Sequence, residues 1–250
     1  MIRTEHLVKQ FGDRVAVDDL NLDIARGEFF AFLGPNGAGK TTTIKLLTGL
    51  LKPNRGRAIV AGYDIQLDPV SARKRMSYVP DLPFLYDKLE PMEFMTFVGQ
   101  LYGMEAADIH RDSDDLFARF DLNETRAQLI ENLSHGTRQR LVIASALLHR
   151  PEVIIIDEPM VGLDPRSARV VKNVLKERSR AGVTIFLSTH TLHVAQELAD
   201  RIGILNRGRL IAVGTIDELR TASGVDGALE DAFLELTREQ ETEQVETAPE

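Results

Sequence analysis

The segment Gly34-Pro35-Asn36-Gly37-Ala38-Gly39-Lys40-Thr41 constrains this chain more than any other. It satisfies G-x-x-x-x-G-K-[ST] at every fixed position. It follows the apolar run Glu28–Leu33 and opens a stretch of helical character, Lys40–Leu51. Glycines let a backbone curl until successive N–H groups converge on one point. The start of a helix adds partial positive charge there. A turn built this way takes phosphate. Lys40 is placed to reach the β- and γ-phosphates of a nucleotide. The Thr41 hydroxyl can ligate Mg²⁺, which prefers hard oxygen donors, and Thr42 is close enough to touch the α-phosphate.

A phosphate loop between strand and helix implies an α/β core, and the rest of the chain fits one. Strands are predicted at Arg3–Val8, Val15–Ile24, Glu28–Leu33, Arg57–Ala61, Val153–Asp157 and Thr184–Ser188. Ile202–Leu205 and Arg209–Val213 form a hairpin turning at Arg207–Gly208. The helix from Lys40 is expected to end at Pro53 and Gly56. Between about Asp64 and Leu133 the chain becomes richer in Asp, Met, Pro and Phe. Met92–Tyr102 and Ile109–Phe120 show helical spacing there, with Leu116, Phe117 and Phe120 on one side. A further helix runs through Leu148 and stops before Pro151, and Ser167–Arg178 is amphipathic. Buried strands alternating with helices imply a mostly parallel sheet with helices on both faces. The expected architecture is an α/β phosphate-loop core with an N-terminal antiparallel β subdomain and a helical insertion. Residues 1–222 are expected to form one phosphate-loop domain, with the insertion at about 82–150. Residues 223–250 are expected to be an acidic tail, partly helical and then disordered.

A second chemical feature stands at Val153-Ile154-Ile155-Ile156-Asp157-Glu158. An apolar strand here delivers two carboxylates to its C-terminal edge, where ligand sites of open α/β sheets lie. Asp157 is suited to hold Mg²⁺ through water. Glu158 is suited to accept a proton from an attacking water.

Composition narrows the class. The net charge is −8, and residues 226–250 hold nine acidic residues and one Arg, so the body of the chain is neutral. A neutral body argues against a broad nucleic-acid face, and no nucleic-acid partner is expected. No cysteine is present, which excludes a disulfide framework and thiolate metal sites. No apolar run reaches the length of a membrane span, and the first residues lack a signal peptide's apolar core. The expectation is a cytoplasmic protein.

Before the acidic strand lies Leu133-Ser134-His135-Gly136-Thr137-Arg138-Gln139-Arg140. Together with the two motifs above, it resembles the ATP-binding subunits of ABC transporters, whose signature reads LSGGQ. Ser134 and Gly136 match; His135 and Thr137 replace the family's second Gly and Gln. The resemblance runs from about Arg3 to Leu219. It implies that ATP is the nucleotide and Mg²⁺ its metal. It places Phe11 where the family has an aromatic that stacks on adenine. Asp164, in Gly162-Leu163-Asp164-Pro165, falls in the loop after the catalytic Glu, and His190 falls at the switch histidine. Ser134 and Gly136 would then face the γ-phosphate bound by an opposite subunit, a second copy or a close homologue. Separate integral membrane permease subunits would supply the transport pathway, holding this chain at the inner face of the membrane. Phe84, Leu85 and Tyr86 would present an exposed docking surface to them. Asp81 departs from the pattern, because the family has Gln there, touching Mg²⁺ or the attacking water. An Asp keeps an oxygen ligand, is one methylene shorter and loses the amide donor. Asp81 and the LSHG signature resemble the exporter-associated branch.

Two other classes fit the sequence less well. A soluble relative in translation or DNA repair would carry two ATPase domains or a long coiled coil. A kinase or GTPase would lack the Leu133–Arg140 signature, and this chain has no guanine-reading N-K-x-D motif. His135, His149 and His193 read as surface or helix residues. His6 and His110 show no metal-ligand spacing.

Overall fold

The computed structural model describes residues 1–82 and 84–223, together with Glu230, Asp231 and Phe233. The expectation of a disordered acidic end falls on residues outside these.

Two sheets organise the chain. In the first, β1 (Ile2–Phe11) pairs antiparallel with β2 (Arg14–Ile24) on one edge. On its other edge it pairs with β4 (Arg55–Val60), to which β5 (Tyr63–Asp64) adds. The second sheet has the order β10-β9-β3-β8-β7-β6. Here β3 is Phe29–Leu33, β6 Met76–Val79, β7 Val153–Asp157, β8 Thr184–Thr189, β9 Arg201–Asn206 and β10 Arg209–Gly214. All neighbours in it are parallel except the β9–β10 hairpin. The fold is the expected α/β one, with a mostly parallel sheet and an antiparallel β subdomain.

Alternation along β3 shows how the layers assemble. Phe30 and Phe32 point to one face, where they pack on Phe186 with ring centroids 5.8 and 5.2 Å away. Ile44 and Leu47 of α1 (Lys40–Leu47) and the inner side of the first sheet close that layer. Phe29 points the other way, into a core shared with α3 (Pro91–Leu101), α4 (Ala106–Arg119), α5 (His135–Leu147) and α6 (Pro165–Arg180). Each fully buried Phe contributes on the order of 2–3 kcal/mol through area removed from water. Leu116, Phe117 and Phe120 are buried together as their spacing predicted.

Four expectations need correction. First, α1 ends at Leu47, not near Pro53, because Gly49 takes a left-handed φ of 69° that stops the helix. Second, the stretch between Asp64 and Leu133, where the sequence shows only helical spacing, also holds a strand. Met76–Val79 is a core strand whose register on Val153–Ile156 is supplied by tertiary pairing. Third, Leu85 is buried in the core, whereas Phe84 and Tyr86 are exposed. Fourth, His149 is no surface residue. Its ring stacks on Tyr102 at 3.5 Å between centroids and 7° between planes, tying the end of α5 to the end of α3.

Burial pulls the His149 imidazole down to about 4 from its ordinary 6.5. The unfolded chain therefore binds the extra proton first. The stability held by the neutral ring is complete above pH 6.5 and is lost as pH falls towards 4. From pH 7 to pH 5 this costs about 2 kcal/mol. In urea titrations, His149→Phe, which keeps an aromatic ring on Tyr102, should lose less stability than wild type over that interval by about that amount. Parallel losses in the two proteins would contradict the assignment.

Candidate functional site

Parallel strands place their C-terminal ends along one edge, and this edge gathers the chemistry. Leu33 at the end of β3 is paired with Thr189 of β8, and Asp157 at the end of β7 with Ser188. The chain leaves β3 into Gly34–Gly39, leaves β7 at Glu158, and leaves β8 at His190. Gly39 stands at φ 109° just before α1, and a Cβ there would lie 2.3 Å from the Ala16 carbonyl oxygen. Only glycine lets the loop close against β2 at that point.

A cleft of about 510 Å³ opens at this edge. Phe11, Asn36, Gly37, Gly39, Lys40, Thr41, Thr42, Asp81, Asp157 and Glu158 all line it, so most of the residues singled out from sequence converge on one place. Phe11 is 49% exposed at its mouth, with the Lys9 ammonium 5.0 Å from its ring centroid. Of the remaining loop residues, Gly34 and Pro35 turn their carbonyls onto Lys40 Nζ at 2.7 and 3.2 Å. Ala38 is packed into the core.

Lys40 is only 7% exposed, and burial lowers the pKa of its ammonium against the opposing pull of Glu158 and Asp157. Its Nζ lies 4.0 Å from Glu158 Oε1. That carboxylate is held from two sides. An ionised carboxylate has only acceptors, so the His190 Nδ1 at 2.8 Å carries the proton and donates it. Thr189 Oγ1 donates to the other oxygen at 3.2 Å. Glu158 itself sits at φ 47°, a left-handed conformation that a non-glycine residue keeps only where its surroundings hold it.

Asp157 is buried and receives Ser188 Oγ at 2.8 Å and Thr41 Oγ1 at 3.0 Å. Thr41 and Asp157 thus bring a hydroxyl and a carboxylate oxygen together. Among the described residues no group of three or more His, Cys, Asp or Glu forms a metal cage. A pair of hard oxygens without a cage is the donor set suited to a small divalent cation that keeps waters and takes its other ligands from phosphate.

Ser134, Asp164 and Gly136, also expected in nucleotide binding, belong neither to the cleft lining nor to the phosphate loop. Ser134 caps α5, accepting the Thr137 N–H at 3.3 Å. Asp164 caps α6, taking the Arg166 and Ser167 N–H groups at 2.9 and 3.0 Å and the Ser167 hydroxyl at 2.6 Å. The Ser167 hydroxyl and N–H groups lower the pKa of that carboxyl. Gly136 lies against Leu163, Asp164 and Ser167. The signature and the loop after Glu158 therefore touch each other within one chain, away from the phosphate loop. Sequence reasoning missed Arg14 and Ala16, which also line the cleft. Their signal was position alone, at the start of the strand hairpinned to Phe11.

Among the described residues no helix is long and apolar enough to cross a membrane. The sequence profile of the ABC transporter family matches residues 17–161. The chain is 38% identical over 218 residues to the daunorubicin resistance ATP-binding protein DrrA3 of Streptomyces coeruleorubidus, covering 87% of this chain and 69% of that protein. It is 34% identical over 226 residues to the linearmycin resistance ATP-binding protein LnrL of Bacillus subtilis, covering 90% and 73%. A solved structure of the ATP-binding subunit of an ABC transporter superposes with a TM-score of 0.89 at 33% identity, covering 95% of this chain and 99% of that one. With a phosphate loop, an acidic strand end and a signature helix arranged on this fold, the chain belongs to the ABC transporter family, as an ATP-binding and ATP-hydrolysing subunit.

Proposed function

We propose that this chain works as a twofold dimer that closes around two ATP molecules and uses their hydrolysis to drive export through a separate membrane permease. One observation supports the dimer: the cleft of the phosphate loop is not lined by the signature residues of the same chain. The phosphate loop lines its own cleft, while Ser134 and Gly136 open α5 elsewhere, with a helix N-terminus suited to an anion. A twofold pairing of two copies brings each loop to the other's signature.

Within each half-site, Lys40 and the loop N–H groups bind the phosphates, with Thr42 beside the α-phosphate. Phe11 stacks on adenine. Thr41 and Asp157 would hold Mg²⁺, which would neutralise developing charge on the phosphate oxygens. Glu158 accepts the proton of the attacking water, and His190 keeps its carboxylate oriented. Asp81 lines the same cleft with an oxygen ligand of its own and leads into the segment carrying Phe84 and Tyr86. Phe84, 79% exposed, and Tyr86 give the permease an aromatic docking surface. Asp164, packed beside Gly136, positions the signature. Residues 1–222 form the ATP-binding domain, with 82–150 as its insertion, at the cytoplasmic face of the membrane. The drug-resistance names of the relatives support the outward direction.

Ser134→Arg tests the shared site. It should lower the hydrolysis rate by about 100-fold or more, as removal of an oxyanion-type donor does, and leave ADP affinity of the isolated chain unchanged. Equal losses in hydrolysis and ADP affinity would place Ser134 in its own chain's cleft and overturn the reading.

A further inference from the structure

We infer that Arg14 is a second cation for the bound nucleotide, contacting the α- and β-phosphates that ADP and ATP share. The inference rests on the nucleotide site described above and adds a residue to it.

Register fixes where Arg14 must be. Phe11 and Arg14 are directly paired at the end of the β1–β2 hairpin. Side chains of directly opposed residues in an antiparallel pair share a face. The hairpin therefore offers an aromatic ring and a guanidinium side by side, and both line the same cleft as Lys40 and Thr41. The guanidinium reaches the phosphate loop itself, where Arg14 Nη2 donates to the Gly37 carbonyl at 3.5 Å, a long and weak contact. Among the described residues Arg14 has no carboxylate partner, unlike Arg57, Arg75, Arg119 or Arg209, which each face one. It is a cation held over a phosphate-binding loop with its hydrogen-bonding capacity largely unspent.

The charge balance of the cleft gives it a task. Asp81, Asp157 and Glu158 line the cleft, against Lys40 and Arg14 as its cations. Lys40 already has Gly34, Pro35 and Glu158 around its ammonium. Without Arg14, a polyanionic nucleotide would enter a cleft with three carboxylates and one cation. A guanidinium meets phosphate oxygens through two parallel N–H donors, which suits it to that gap. Position along the cleft selects the phosphates. Lys40 beside Glu158 marks the hydrolysing end, and Phe11 marks the end where the base stacks. Arg14, paired with Phe11, stands at the base end of the phosphate chain.

The test is calorimetric titration of the full chain with Mg·ADP and with a non-hydrolysable Mg·ATP analogue. Arg14→Ala should weaken both by roughly tenfold and leave their ratio unchanged, because a charge-assisted contact common to both is lost. Arg14→Lys should recover part of the loss, and salt should weaken the wild type more steeply than Arg14→Ala. Arg14 is at the surface, and matching melting curves would confirm intact folding. Unchanged affinities in Arg14→Ala would overturn the inference, and a loss confined to the ATP analogue would overturn its placement at the shared phosphates. Failure of the site itself looks different: wild type would then bind neither nucleotide.

Discussion

Glu158→Gln is expected to lower the hydrolysis rate by about 10²- to 10³-fold while Mg·ATP affinity stays within about twofold of wild type. The substitution removes the carboxylate's charge and with it the ability to take a proton. Size is preserved: the amide oxygen can still accept from His190 Nδ1, and the amide NH2 then faces the Thr189 hydroxyl, which can turn to accept from it. Lys40 keeps its two carbonyl partners. A closed dimer that cannot hydrolyse cannot reopen, so the variant should elute as a dimer with Mg·ATP and as a monomer with Mg·ADP. Phosphate release assays and size-exclusion chromatography read both effects. Normal turnover would show that another group activates the water.

Lys40→Ala should fail at an earlier step. The ammonium is the buried cation of the cleft, 4.0 Å from Glu158 and close enough to Asp157 for both carboxylates to oppose its burial-lowered pKa. Removing it leaves two carboxylates beside the position of the γ-phosphate without a counter-charge. Affinity for Mg·ATP is expected to fall by about 10- to 100-fold, and kcat/KM by about 10³-fold, since both binding and transition-state charge are affected. Calorimetry and phosphate release measured on the same preparation separate the two. A variant with normal affinity and a lost rate would confine Lys40 to the chemical step.

These two residues were legible because their motifs are continuous in sequence. A phosphate loop needs glycines, a lysine and a hydroxyl at fixed offsets along one turn, and an acidic strand end needs only its own apolar run. Asp81 and Phe11 became legible through the resemblance, and the structure brings both into the cleft. What stayed hidden depends on pairing across the fold. The strand at Met76–Val79 is short and half polar, and only its register on β7 makes it a strand. His149 looks like a helix-end residue until Tyr102 is found stacked on it. Arg14 looks like an ordinary hairpin arginine until the pairing with Phe11 turns it towards the loop. Gly49 ends α1 early by adopting a left-handed conformation, a choice that the later Pro53 and Gly56 concealed.

The central claim is that each ATP is held by the phosphate loop of one copy and the signature of another. Mixing two inactive variants, Ser134→Arg and Lys40→Ala, tests it directly. In a mixed dimer one site pairs an intact loop with an intact signature, while the other carries both defects. The account predicts that the mixture hydrolyses Mg·ATP far faster than either variant alone, rising with the fraction of mixed dimer. If the mixture stays as inactive as its components while mixed dimers form, each site is completed within one chain and the shared-site account is wrong.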